Sequence, residues 1–358
     1  MDRLEHKTLA TSPHNFTYSY YLSPDFHSRI NPSIPTLVFA HGYPDDAYMW
    51  AGAVPHFLEL PYPFIILDIL GFGGSSKPTD PSEYNYRKQG SSIAQIMDHE
   101  KVPDNVIPVG HDWGSAICQR FYLYHRHRCV GLCLVSGAYQ PPTEEPFILP
   151  EANKVTAQRF GYPQWEYFNF FTAPDAPQLM EANLGRFYEC NHGLFPSPNP
   201  EEKGRDIWMR EIFCTPNAMR EYITSTGKYK DYTVPLKPYA RDPELKKRFI
   251  ERLSRDGSEG PVCYYTSLTR NTMREDEGAL CKAPNDADKK IDVPVLYVGQ
   301  TGDWVCRTDL MSDVKEAGLV PDLEEKVVEA GHWVLYEKPG EIAGLLIDWL
   351  ARNFPVKL

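Results

Sequence analysis

Short apolar runs that stop at glycine-rich turns recur through the first third of the chain. Residues 34–40, Ile-Pro-Thr-Leu-Val-Phe-Ala, form one run and end at His41-Gly42. Residues 63–68 form a second, followed by Gly71-Phe-Gly-Gly74. Residues 106–110 and 131–136 form a third and a fourth. Unbroken apolar runs of this length, bounded by turn residues, predict strands buried on both faces. The helix-length segments 86–101 and 115–128 lie between them. Strands alternating with helices predict an α/β fold, with a mostly parallel sheet covered by helices.

The pattern breaks over residues 138–285. That stretch is rich in aromatics, prolines and charged helix-like segments such as 243–252. Strand patterns return at 293–299 and 325–329, and the amphipathic segment 342–350 predicts a closing helix. The expected organisation is a core of residues 1–137 and 286–358 with a helical lid, 138–285, inserted into it. At 358 residues the chain exceeds the ~250–300 at which single cores stop growing, which suits a core with an insertion. No internal repeat is visible. Residues 198–205 and 275–285 read as solvated lid loops.

Composition narrows the function only slightly. Hydrophobic residues at 42% and charged residues at 24% are ordinary for a globular protein. A net charge of −11 argues against a binder of nucleic acid or anionic membranes, which presents a basic face. None of the eight cysteines forms a C-x-x-C pair or sits at zinc-finger spacing from histidines. They read as free thiols in a reducing compartment. The N-terminus shows no apolar signal region, and no run approaches the ~18 apolar residues of a membrane span. The expected location is cytoplasmic. The final Lys357-Leu358 matches only part of the peroxisomal S-K-L address and sets no expectation of its own.

The chemistry concentrates after the third run. Gly110-His-Asp112-Trp-Gly114 sits between a predicted strand and a predicted helix. This has the form of the G-x-S-x-G nucleophile elbow, with aspartate at its centre. A helix-capping aspartate can show the same pentapeptide, so residues elsewhere must separate the two readings. The choice of aspartate matters chemically. Serine attacking an sp³ carbon forms an inert ether. A carboxylate forms an ester, which water can hydrolyse.

Two further residues complete a set. His332, in Ala330-Gly-His-Trp333, follows a predicted strand and suits a general base that activates water. Asp303, in Gly299-Gln-Thr-Gly-Asp303, follows another strand and suits the residue that orients His332. The chain order is nucleophile, acid, base. His41-Gly-Tyr43-Pro44 follows the first core strand. Its backbone, with the N–H of Trp113, suits an oxyanion hole, and His41 itself suits a loop-orienting role.

These segments together resemble the epoxide hydrolases of the α/β-hydrolase superfamily, over nearly the whole chain. His41-Gly-Tyr43-Pro44 is similar to that family's H-G-x-P loop. Gly110 to Ser115 is similar to its elbow, Asp68 to Ser75 to its D-x-x-G-x-G-x-S loop, and Gly331-His332-Trp333 with Lys338-Pro339 to its base segment. The resemblance implies two lid tyrosines that act as acids on the epoxide oxygen. Tyr265 falls on one, in Gly260-Pro-Val-Cys-Tyr-Tyr265-Thr, where Cys263 and Thr266 depart from the family's Asn and Arg. Tyr167 fits the other, with Tyr162 as the alternative. Trp113, Trp165, Phe168 and Tyr264 are expected to line an apolar pocket. Neither metal nor organic cofactor is implied, and the expected partners are a small-molecule epoxide and water.

Other readings use the same elbow. Haloalkane dehalogenases share Asp112-Trp113, but often carry Asn where this chain has Tyr43. Fluoroacetate-type dehalogenases usually carry Arg at the position of Trp113. Non-catalytic ligand receptors of this fold often lose triad members, whereas all three are present here. A serine esterase would need Ser115 or Ser136 at the elbow, and neither is there.

Overall fold

Five of the apolar runs become the centre of one sheet. In the computed structural model, which describes residues 1–202, 205–282 and 284–356, the strands are β1 (Glu5–Thr11), β2 (Phe16–Leu22), β3 (Thr36–Ala40), β4 (Phe64–Leu67), β5 (Val106–His111), β6 (Leu132–Val135), β7 (Val295–Gln300) and β8 (Leu323–Val328). They pair in the order β1-β2-β4-β3-β5-β6-β7-β8. Pairings from β4 through β8 are parallel, whereas β1–β2 and β2–β4 are antiparallel. Strands β3 to β7 are buried along their whole length, as their continuous apolar sequence requires. The antiparallel ribbon β1–β2 had no counterpart among the predicted elements. Polar residues interrupt its apolar positions, and β1 is mostly exposed.

Helices connect the parallel strands. Tyr86–His99 is capped by Asn85, whose side chain accepts hydrogen bonds from the N–H groups of Arg87 and Lys88. The next helix is Trp113–Tyr124, beginning two residues before the predicted 115 because Asp112 itself is the cap residue. It ends at Tyr124, and Arg126–Arg128 is a separate 3-10 turn. The closing helix runs Pro339–Asn353, longer than the predicted 342–350.

Between β6 and β7 the described residues contribute no strand to the sheet. They form helices instead, including Leu149–Phe160, Leu184–His192, Pro243–Asp256, Cys263–Thr269 and Arg274–Ala279. Of the two stretches expected as solvated loops, the described residues of 198–205 are exposed apart from the half-buried Glu202, whereas 275–285 is partly helical. Glu202 is paired with Arg210 at 2.8 Å. Arg274–Ala279 is a helix, and its Glu277 meets the buried Arg120 of the core at 2.6 Å. Among the described residues no helix is long and apolar enough to cross a membrane. All eight cysteines are unpaired. Lys357 and Leu358 lie outside the described residues.

Candidate active site

The turn at Asp112 is possible only because its neighbours are glycines. Asp112 adopts φ 53° and ψ −121°, a conformation that side-chain-bearing residues rarely occupy. A Cβ on Gly110 would lie 2.4 Å from the Gly114 carbonyl oxygen. A Cβ on Gly114 would lie 2.3 Å from the Ala40 oxygen. Helix Trp113–Tyr124 therefore starts hard against β3 and β5 and lifts the Asp112 carboxylate above the sheet. The Asp112 N–H donates to the Val135 carbonyl at 3.1 Å, and the Ser115 hydroxyl donates to the carbonyls of Gly110 and Val135.

The carboxylate of Asp112 has two distinct environments. Its Oδ1 accepts a hydrogen bond from the Tyr43 N–H at 2.9 Å, and the Trp113 N–H also stabilises the carboxylate. Its Oδ2 lies 3.6 Å from His332 Nε2. Tyr43 is presented by the loop after β3. His41 fixes that loop: Nδ1 contacts the Gly42 carbonyl at 2.9 Å, and Nε2 accepts from the Ile69 N–H at 3.1 Å. His41 is fully buried there.

His332 and Asp303 lie beyond β8 and β7. His332 Nδ1 is 2.6 Å from Asp303 Oδ2. Asp303 Oδ1 accepts from the N–H groups of Val305 at 3.0 Å and Cys306 at 2.7 Å, so the carboxylate is held at both oxygens. Burial works against a charged His332, but Asp303 and then Asp112 outweigh it, and the pKa stands above the ordinary histidine value. Burial also raises the Asp112 pKa above the ordinary aspartate value, with His332 and the two backbone N–H groups opposing it.

A cavity of about 310 Å³ opens above Asp112. It follows one face of helix Trp113–Tyr124, where Trp113, Ala116 and Arg120 all reach it. From Trp113 to Arg120 is about 10 Å at the rise of an α-helix. Tyr167, Trp165, Phe168 and Phe147 supply aromatic walls. Gln119, Arg120 and Glu277 supply polar ones.

The predicted pocket residues are not all equivalent. Trp113, Trp165, Phe168 and Tyr167 line the cavity, but Tyr264 and Tyr265 do not. The Tyr264 hydroxyl donates to the Leu70 carbonyl at 2.9 Å and meets the Gln89 side chain at 2.8 Å. Its ring lies behind Trp113, 5.4 Å between centroids, so it backs the cavity wall rather than forming it. Tyr265 packs among Trp113, Phe168, Phe171 and Tyr43, with centroids 4.7–5.2 Å away. Its ring centroid is 5.8 Å from that of Tyr167. The Tyr265 hydroxyl is hydrogen-bonded by the Trp113 side chain, whereas the Tyr167 hydroxyl has no hydrogen-bond partner among the described residues. Burial, with Asp112 contributing, raises both phenol pKa values well above the ordinary value. Tyr162 is placed differently: its hydroxyl donates to the Trp304 carbonyl at 2.8 Å and accepts from Arg307 at 3.0 Å.

Several cavity residues escaped the sequence reading. Cys306 and the Arg120–Glu277 pair are the most consequential. Arg120 could have been found from its spacing, two helical turns beyond Trp113. Nothing in the sequence marks Glu277 as its partner, 157 residues away.

Comparison with known proteins places this geometry in a wider group. A family model described as alpha/beta hydrolase fold matches residues 35–339. Epoxide hydrolase srdG of Neurospora crassa is 27% identical over 358 residues, covering 98% of this chain and 96% of that protein. Bifunctional epoxide hydrolase 2 of Rattus norvegicus is 24% identical over 326 residues, covering 88% of this chain. The match spans only 51% of that rat protein, about half its length. The crystal structure of Epoxide Hydrolase A from Mycobacterium thermoresistibile matches with a TM-score of 0.73 at 21% identity. That match covers 97% of this chain and 98% of the other, and speaks to the fold alone.

Proposed function

The chain belongs to the α/β-hydrolase fold family, and within it we propose an epoxide hydrolase that works through an ester on Asp112. The observation that carries this reading is the pairing of an aspartate at the elbow with two buried tyrosines, Tyr167 and Tyr265, whose ring centroids lie 5.8 Å apart. The aspartate selects an sp³ carbon as the electrophile. Opening an epoxide at that carbon releases an alkoxide, and a phenol held in its neutral form can protonate it. The elevated phenol pKa values of Tyr167 and Tyr265 keep the proton available. The names of the curated relatives point the same way.

The first half-reaction uses Asp112 Oδ2, the oxygen that faces His332. It attacks an epoxide carbon, the C–O bond breaks, and Tyr167 and Tyr265 hydrogen-bond the departing oxygen while one gives it a proton. The ester carbonyl oxygen is then Oδ1, which already accepts from the Tyr43 N–H, and the Trp113 N–H also serves this carboxyl group.

Esterification also readies the base. It removes the Asp112 charge, one of the two carboxylates that raise the His332 pKa. His332 thereby gives up a proton more readily, and it can return one to the tyrosinate. Neutral His332, fixed by Asp303, accepts a proton from water at Nε2. The resulting hydroxide attacks the ester carbon, negative charge builds on Oδ1 in the hole, and the C–O bond to the diol breaks. Overall, one epoxide and one water become one vicinal diol. The lid assigned to residues 138–285 belongs to this reading, because it supplies both tyrosines.

The test is diol formation from a racemic aryl epoxide by the intact protein and by Asp112→Ala. Diol from the first and none from the second supports the reading. Chloride release from a chloroalkane, with no diol from any epoxide, would replace it with a dehalogenase.

A further inference from the structure

Asp303, Cys306 and His332 bring a carboxylate, a thiol and an imidazole together, with one ligand atom of each within 4.8 Å of the others. We propose that this trio is an inhibitory binding site for zinc, reached from the cavity. Its effect on turnover rests on the reading of His332 as the base; the binding itself does not.

Oxygen, sulfur and imidazole nitrogen are the donors that zinc takes in proteins. Cys306 is half-buried and lines the cavity, so a cation has a route to its sulfur. The other seven cysteines do not line it. Two carboxylates, Asp303 and Asp112, flank His332 and favour positive charge. The spacing needs only local adjustment. Tetrahedral zinc, with bonds of about 2.0–2.3 Å, wants its ligand atoms about 3–4 Å apart. The Asp303–His332 contact at 2.6 Å must open slightly and the Cys306 sulfur must swing inward by about 1 Å. A water from the cavity can fill the fourth position.

The site predicts how inhibition works. Asp303 lies on the Nδ1 side of the ring, so a cation shared by Asp303 and Cys306 binds His332 at Nδ1. The ring proton then resides on Nε2, which faces Asp112. An Nε2 that carries a proton cannot take one from water. Starting from neutral His332, one proton leaves with zinc binding, from the Cys306 thiol, and the Nδ1 proton moves to Nε2. Ester formation on Asp112 needs no base and continues, so zinc arrests the enzyme as its ester.

Cobalt(II) reports the site without turnover, because thiolate bound to cobalt gives a near-ultraviolet charge-transfer band. The intact protein and Cys281→Ala should both show the band, and added zinc should abolish it. Cys306→Ala should lack it while keeping the circular dichroism and Tm of the intact protein; Cys306→Ser serves instead if the alanine variant is unstable. In the diol assay, half-inhibition by zinc should need at least about tenfold more metal in Cys306→Ala, each protein measured against its own metal-free rate. Absence of the band in the intact protein, or its survival in Cys306→Ala, overturns the site. A band that depends on Cys306 in a protein that hydrolyses no epoxide leaves the site standing and overturns the proposed function instead.

Discussion

His332 Nε2 stands 3.6 Å from Asp112 Oδ2, too far for a strong hydrogen bond and close enough for both to touch one water or substrate oxygen. The Asp112 carboxylate is therefore not hydrogen-bonded by His332 at rest. In the proposed mechanism the two residues act in succession, which separates their mutational signatures.

Replacement of His332 by Gln should leave alkylation intact and block ester hydrolysis. Turnover should fall by about 10²–10⁴-fold, the usual contribution of a positioned base. Intact-protein mass spectrometry should show the epoxide mass added to Asp112. An inactive variant with no adduct would mean that His332 is needed before the ester forms.

The two phenols should be separable from stability. Tyr167→Phe removes a hydroxyl with no protein partner among the described residues and should change stability by less than about 0.5 kcal/mol, whereas Tyr265→Phe removes one hydrogen bond with Trp113 and should cost about 1 kcal/mol. Each should slow ester formation, and the double variant should slow it more than either alone. Stopped-flow Trp fluorescence can follow this step, because Trp113 adjoins Asp112 and Tyr265. Equal rates in all three variants and the parent would remove the tyrosines from the chemistry.

The acid limb of kcat should report His332. Hydrolysis needs the neutral ring, so kcat falls as pH drops through a pKa that Asp303 raises. Asp303→Asn should lower the maximum and move the limb to lower pH. The linkage to folding runs in the opposite direction. A raised pKa in the folded state gives stability that is complete below the ordinary value of 6.5 and is lost as pH rises through the folded value. Urea midpoints of parent and His332→Gln should therefore differ most in acid and converge in base.

Arg120 and Glu277 join the core helix to the helix Arg274–Ala279 across the cavity wall. Arg120 Nε donates to both Glu277 oxygens, at 2.8 and 2.9 Å, and Nη1 donates to the Gln140 carbonyl at 2.8 Å. Glu277→Ala leaves a largely buried guanidinium without its carboxylate, and should cost about 2 kcal/mol, between exposed and fully buried pairs. Arg120→Met with Glu277→Leu should recover most of that loss. Chemical denaturation of the three variants checks both statements.

Much of the central architecture was legible because burial on both faces leaves a strong sequence mark. β3 to β7 and the elbow glycines could be read directly, since no other residue fits where Gly110 and Gly114 meet the neighbouring backbone. The ribbon β1–β2 was not legible, because exposure mixes polar residues into its strands. Tyr264 and Tyr265 are adjacent and chemically identical. Only helix geometry turns one behind Trp113 toward Gln89 and the other toward Tyr167. The Arg120–Glu277 pair and the approach of Cys306 to His332 depend on long-range packing that no local pattern encodes.

The central claim is that Asp112 forms the ester, and a single turnover in H₂¹⁸O tests it most directly. With enzyme in excess over an aryl epoxide, water attacks the ester carbon and the diol keeps an Asp112 oxygen. The account predicts unlabelled diol and ¹⁸O in the peptide that contains Asp112. Labelled diol in that first turnover, with no label in the peptide, would contradict it.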